Sequence, residues 1–205
     1  MKRIDLASGQ VLTLDDHTQY GAFPHAFPGG VAYRDSAAGG AVFLRNDGRR
    51  ADDDFTFVFT ADDLSIDVAR RSGISRIASA DGPARGYLWP SLSPAGDRVA
   101  FVVMQQGMGV VNVDGSALHI LCEGDDASSP SWHPSGRWIL FQRTVDGEWD
   151  IAASDLYVVS STSAELRQLT DTPDLVELHA CFSPDGSRVA FQAKDLIYVG
   201  EVTGQ

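Results

Sequence analysis

The chain is short of cysteine, short of cations and free of long apolar runs, and each shortage removes a class of function. Its two cysteines, Cys122 and Cys181, belong to no Cys-x-x-Cys pair, which excludes a disulfide framework or zinc ribbon and reads as two buried free thiols. Sixteen Lys and Arg stand against 28 Asp and Glu, a formal net charge of -12. Nucleic acid and anionic lipid both require clustered cations, so no nucleic-acid and no membrane partner is expected. No stretch nears the roughly 18 apolar residues of a spanning helix. The opening Met1-Lys2-Arg3-Ile4-Asp5-Leu6 has two cations and no apolar segment behind them, unlike a signal peptide. It reads as cytoplasmic; a chain whose leader has been removed would be periplasmic. Nucleophile elbow, His-Glu-x-x-His helix, phosphate-binding loop and dinucleotide fingerprint are all missing, so the expectation leans away from an enzyme.

What is present is a repeat. Pro90 to Phe101, Pro130 to Phe141 and Ala180 to Phe191 superimpose residue for residue, with anchor prolines at Pro94, Pro134 and Pro184. Each unit is an apolar strand, a tight Pro-x-Gly turn and a second strand ending in Phe. Proline presets φ at the first central turn position and glycine tolerates a positive φ, so the spacing predicts a hairpin. A second apolar pair follows each hairpin: Gly109 to Val113 then Leu118 to Leu121, and Asp155 to Val159 then Leu166 to Thr170. Four short strands in about 40 residues make a propeller blade. The longer second interval is read as an inserted loop from Thr144 to Ser154, containing Glu148, Trp149 and Asp150.

Pro-x-aromatic-Ser-Pro-Asp-Gly, then Arg-Val-Ala-Phe, Asp-Leu-Tyr-Val-Val and an Arg-Gln-Leu-Thr close, resembles the repeat of TolB-type β-propellers, relatives of the WD-repeat class. The unit at Cys181 matches best; His133 replaces the usual Ser and Ala95 the usual Asp in the other two. The resemblance runs from about Pro90 to Val202. It implies an all-β fold of four-stranded antiparallel blades over one domain, 1–205, and a binding scaffold for a protein or peptide partner. The N-terminal half is more degenerate. Pro24 and Pro28 repeat the anchor spacing, while 43–50, 55–60, 64–69 and 74–78 offer further strands and turns. About five blades result, or four if 20–80 is one blade with an insertion, where TolB resembles a six-bladed ring. The last unit stops one strand short. Either a strand near Val11 to Leu14 fills the gap, or an incomplete ring is closed by dimerisation.

Three histidines, His25, His133 and His179, lie on or beside first strands of their units. One reading converges them on a divalent metal at the channel mouth of a carbohydrate-active or metal-dependent enzyme, as in lyases acting on oligogalacturonate. The other leaves each as a separate hydrogen bonder, with His133 capping its turn and no cofactor. Asp52-Asp53-Asp54 lacks the spacing of a calcium loop and reads as a solvated charge run. Trp132 and Phe182 occupy the position that packs between blades. Tyr87, Trp89 and Trp149, with Glu148 and Asp150, are the candidate partner contacts.

Overall fold

The computed structural model describes residues 2–4, 11–13, 21–27, 30–35, 40–45, 56–70, 72–80, 86–124, 126–147, 151–173 and 175–202, with backbone pairing alone before residue 45. Every regular element among them is a strand. β1 (Lys2–Ile4) and β2 (Val11–Thr13) form a two-stranded sheet. β3 (Gly21–Phe27), β4 (Gly30–Asp35) and β5 (Gly40–Arg45) form the next, and β6 (Thr56–Thr60), β7 (Ile66–Arg70) and β8 (Gly73–Ala78) another. Two four-stranded sheets follow, β9 (Tyr87–Leu92) to β12 (His119–Glu123) through β10 (Arg98–Val103) and β11 (Gly107–Asn112), then β13 (Ala127–Trp132) to β16 (Leu166–Gln168) through β14 (Trp138–Asp146) and β15 (Ile151–Ser160). The last holds β17 (Glu177–Phe182), β18 (Arg188–Ala193) and β19 (Leu196–Glu201). Contacts gather the chain into two compact units, Met1–Phe59 with Asp67–Ser75, and Thr60–Ile66 with Arg76–Gln205.

Four sheets of three or four antiparallel strands match propeller blades, and β6, β7 and β8 form a further three-stranded sheet. The described strands between residues 21 and 78 fall into two three-stranded sheets, β3–β5 and β6–β8. Val11–Thr13 pairs with Lys2–Ile4, from Lys2↔Thr13 to Ile4↔Val11. The expected loop from Thr144 to Ser154 is instead a longer hairpin: Thr144↔Ser154, Val145↔Ala153 and Asp146↔Ile151 continue the β14–β15 ladder. Thr, Val and Ile carry β propensity on both sides of the tip, and the ladder runs on until Gly147 ends it. Residues 148–150 at the tip lie outside the described residues.

The hairpin turns follow one plan. Gly96, Gly136 and Gly186 have φ of +72°, +69° and +75°, the left-handed region that the Pro-x-Gly spacing predicts. Their amides donate to the carbonyls of Ser93, His133 and Ser183 at 2.9, 2.8 and 2.9 Å. Ser93 Oγ and Ser183 Oγ each accept the amide of the residue five further on, Arg98 and Arg188, both at 3.0 Å. His133 does the capping differently, its Nδ1 accepting the Ser135 amide at 3.1 Å.

In the second unit the β9–β12 sheet and the β13–β16 sheet each bury one face on the sheet that follows in sequence. Ala100, Val102, Met108 and Val110 pack with Trp132, Ile139, Phe141 and Val159; Leu140, Leu156 and Val158 pack with Ala180, Val189, Phe182 and Phe191. Alternation along β10, β14 and β18 assigns Phe101, Phe141 and Phe191 to the opposite face. Polar groups lock adjacent sheets as well. Trp132 Nε1 donates to Ser91 O at 2.8 Å, and Arg98, stacked 5.1 Å over the Trp132 ring, donates to Ser161 O at 3.2 Å and Gly136 O at 3.1 Å. Trp132 and Phe182 therefore pack between sheets, as their repeat position implies.

Candidate functional site

The first strand of four sheets, β3, β9, β13 and β17, is the inner strand of its blade, and these strands share one irregularity. Two residues of each stand opposite one residue of the next strand: Trp89 and Pro90 opposite Phe101, Ser129 and Pro130 opposite Phe141, His179 and Ala180 opposite Phe191, and Phe23 and Pro24 opposite Tyr33. These are β-bulges, which bend a strand and re-aim its side chains. In the described second unit the first bulge residue is left-handed each time, with φ of +50° at Trp89, +52° at Ser129 and +56° at His179. None of the three is glycine, so each costs on the order of 1–2 kcal/mol of backbone strain. The proline that follows Trp89 and Ser129 has no amide to give a ladder, which explains why the ladder breaks there.

The bulge leaves these side chains outside the core. Trp89 is 45 % exposed, His179 is exposed and Ser129 half-buried. His179 is held from behind, its amide donating at 2.9 Å to Oε1 of the buried Gln142 on the neighbouring sheet. One residue before Ser129, the buried Ser128 Oγ has no hydrogen-bond partner among the described residues. Tyr87, the other aromatic expected to meet a partner, is largely structural. Its ring stands edge-on to Phe101 at 5.0 Å, its amide donates to Leu64 O at 2.7 Å and its carbonyl accepts from Thr60 Oγ1 at 3.2 Å.

The histidines occupy three different repeat positions. Counting from the first proline of the anchor pair, His25 is one residue after, His133 three after and His179 one before the equivalent Ala180. His133 is 6 % exposed, with both ring nitrogens engaged: Nδ1 by Ser135, Nε2 at 3.3 Å from Gly186 O. Its contact with Ser135 Oγ at 2.8 Å is a turn cap and not a nucleophile–base pair, because Nδ1 already receives the Ser135 amide and Nε2 faces a carbonyl. The His25 side chain lies outside the described residues, as do Glu148, Trp149, Asp150 and Asp52 to Asp54. Among the described residues no group of three or more His, Cys, Asp and Glu is placed to hold a metal ion.

Sequence reading missed two features. One is a shallow depression lined by Gln105, Gln106, Ile120, Glu123 and Gly124. Beside it Arg143 donates to Glu123 O at 2.8 Å, lies 3.6 Å from Asp126 Oδ1 and stacks 5.2 Å over Tyr157. No motif marks it, because its parts come from three strands, a turn and a loop. The other is Glu177, 0 % exposed, whose carboxylate accepts the hydroxyls of Thr170 and Thr172, the latter at 2.9 Å. Thr170 Oγ1 in turn accepts the Leu156 amide at 2.8 Å, so this carboxylate ties β15 to the start of β17. The cysteines need a correction: Cys122 is buried, and burial pushes its thiol up, whereas Cys181 is exposed. Cys181 follows the bulge on an inner strand, where the expectation of a buried apolar strand fails.

No family model matches the chain. Curated relatives do, among them two TolB proteins. The "Tol-Pal system protein TolB" of Rhizorhabdus wittichii is 40% identical over 60 residues, 29% of this chain and 13% of that protein. The "Protein TolB homolog" of Chlorobium luteolum is 28% identical over 137 residues, 60% of this chain and 30% of that protein. The chain thus spans less than a third of the length of these relatives. Among solved structures, the β-propeller domain of Cps50 (Swd1) from Myceliophteria thermophila superposes with a TM-score of 0.68 at 13% identity, covering 98% of this chain and 76% of that one. A putative TolB from Agrobacterium tumefaciens superposes at 0.65 and 14% identity, covering 94% and 76%.

With blade-like sheets, repeated Pro-x-Gly turns and these superpositions, the chain is an all-β protein of the β-propeller class. Its repeat and its relatives define it further as a TolB-like β-propeller. Among the described residues no helix is long and apolar enough to cross a membrane.

Proposed function

We propose that this chain is a non-catalytic binding scaffold that holds a protein or peptide partner along the row of bulge residues on its inner strands. The observation that carries the reading is Trp89, left-handed at φ +50° and 45 % exposed. A strained backbone that turns a large aromatic toward solvent costs stability and adds nothing to the core. Such strain persists where it serves a site, and exposed Trp is a frequent hot spot of protein interfaces. Ser129 and His179, at equivalent positions on the adjacent inner strands, supply polar contacts beside it. The net charge of -12 steers association toward cationic partners, and the Tol-Pal system named for one relative supports a protein partner over a small molecule. Glu148, Trp149 and Asp150, at the tip of the long β14–β15 hairpin, are proposed to extend the contact. The metal-dependent enzyme reading draws no support from His133, whose ring is committed to two turns.

Selection of a peptide library displayed on phage tests the reading. Peptides rich in Lys, Arg and aromatic residues should enrich, and synthetic versions titrated calorimetrically should lose at least about tenfold in affinity to Trp89→Ala, the weight of one ordinary hot-spot residue. Equal affinity for wild type, Trp89→Ala and His179→Ala would sink it. Trp149→Ala binding like wild type removes the hairpin tip from the site.

A further inference from the structure

The depression beside the β10–β11 turn is a built hollow whose polar lining is uncommitted. It holds about 400 Å³, at the small end of the roughly 300–1,000 Å³ of ligand sites. Gln105 and Gln106 of the turn form one wall; Ile120 and Glu123 of β12, with Gly124 after it, form the other. Two backbone bonds fix these walls, the Gln106 amide donating to Val103 O and the Gly124 amide to Gln106 O, both at 3.0 Å. Among the described residues the side chains of Gln105, Gln106 and Glu123 meet no hydrogen-bond partner and no opposite charge. The cation beside them, Arg143, is committed elsewhere. It donates to the backbone carbonyl of Glu123 at 2.8 Å, lies 3.6 Å from Asp126 Oδ1 and stacks over Tyr157. Asp126 Oδ1 stands 2.7 Å from where a Cβ on Gly124 would lie and accepts no hydrogen bond among the described residues, so a second carboxylate backs the same wall.

We propose that this depression binds a primary ammonium group carried on an aliphatic chain, as on a lysine side chain or a free alkyl diamine. An ammonium has three N–H donors and no acceptor. The lining offers acceptor oxygens on three side chains, one of them the unpaired Glu123 carboxylate. Half-buried Ile120 gives the methylenes an apolar wall, so head and stem meet different parts of the site. A guanidinium fits less well, because its planar fork pairs with the carboxylate alone and leaves both carboxamides over. A calcium ion takes about six to eight oxygens and gains nothing from Ile120. The net charge of -12 concentrates cations of every kind at the surface, and the lining selects the alkylated one. β12 lies at the opposite edge of its sheet from β9, so the site shares no residue with the row at Trp89, Ser129 and His179.

Titration of the isotope-labelled full chain with n-butylamine hydrochloride at neutral pH, followed by amide chemical shifts, tests this. The shifts should concentrate on Gln105, Gln106, Ile120, Glu123 and Gly124 and saturate with a Kd on the order of millimolar, as befits so small a ligand. Ammonium chloride and calcium chloride at the same concentrations should not compete, and n-butylguanidinium should bind more weakly. Glu123→Gln should weaken butylamine at least about fivefold, the weight of one hydrogen-bonded charge. Its melting curve should match wild type, since this carboxylate holds nothing else among the described residues. Gln105→Ala, also exposed, should weaken binding about two- to threefold, the weight of one neutral hydrogen bond. A blocked Gly-Lys-Gly tripeptide binding as butylamine does assigns the site to a lysine side chain; saturation by diaminobutane with the tripeptide silent assigns it to a free diamine. Shifts that spread over the surface carboxylates without saturating, equal shifts with ammonium chloride, or undiminished affinity of Glu123→Gln overturns the proposal. Trp89→Ala should bind butylamine as wild type does, so failure here is distinct from failure of peptide binding at the bulge row.

Discussion

His133 Nε2 faces Gly186 O across 3.3 Å, so the hairpin turn of one sheet is held by the imidazole of the sheet before it. The pairing fits one residue at each end. Gly186 has a φ of +75°, and a Cβ there would run into His133 Nε2, so neither the backbone nor the neighbour leaves room for a side chain. At Gly96 and Gly136, with nearly the same φ, a Cβ meets nothing within 4 Å.

This contrast predicts an order of stabilities. Gly96→Ala and Gly136→Ala should each cost about 1 kcal/mol, the price of a left-handed alanine. Gly186→Ala should cost about 2–4 kcal/mol, because a buried ring must also move. Urea denaturation of the three variants measures the order. Adding His133→Ser, the residue of the other two repeats, should restore the steric part, and a double-mutant cycle showing no coupling would contradict the contact.

The same contact fixes a tautomer. Nδ1 accepts the Ser135 amide, so the ring proton belongs on Nε2, where it points at Gly186 O. Long-range nitrogen–proton NMR spectra at neutral pH should show His133 as the Nε2–H form, and an Nδ1–H signature would contradict the geometry.

Asp185 gives a pH signature. Its Oδ1 accepts the Ser183 hydroxyl at 2.6 Å, the Ser187 amide at 3.0 Å and the Ser187 hydroxyl at 2.8 Å, and these bonds hold its carboxyl well below the usual carboxylate range. A group depressed on folding contributes stability above its unfolded value of about 3.9, and loses it as pH falls from there through the folded value. Asp185→Asn should therefore melt below wild type at pH 7, and the gap should narrow steadily below about pH 4. A gap that does not change with pH would show that the carboxylate charge is irrelevant.

Arg98 predicts a fork-specific effect. Its guanidinium bonds two carbonyls of the next sheet and stacks on Trp132. Arg98→Ala should destabilise by about 1.5–3 kcal/mol, and Arg98→Lys should recover less than half, since an ammonium cannot span both acceptors while covering the ring. Denaturant midpoints of the two variants decide it.

Trp89 predicts a trade of stability against binding. Trp89→Gly relieves the left-handed strain and should be neutral to about 1 kcal/mol more stable, while losing the proposed partner contact. A clear loss of stability would show that the indole supports the fold.

The hairpins, their turns and the blade class were legible in the sequence because they rest on local chemistry. Pro-x-Gly spacing sets φ over four residues, and Arg-Val-Ala-Phe alternates toward a buried face whatever the sheet is packed against. Trp132 and Phe182 were legible as packing residues for the same reason, being repeated at one position. The hairpin through 144–154 was misread because Gly147 marks a tip but says nothing of how far the ladder runs beneath it.

Whether a residue at a repeated position is buried depends on what stands beyond it, and no local pattern contains that. Met108 and Ile197 share a register position, yet one is covered by the next sheet and the other is open. The bulges at Trp89, Ser129 and His179 arise where two strand residues must span one across the ladder, so cross-strand pairing decides them. The histidines resembled a set in the sequence because all lie near first strands. The tertiary structure separates the two it describes in full: they stand four repeat positions apart, His133 pressed into the turn after its strand and His179 left exposed on the bulge within its own.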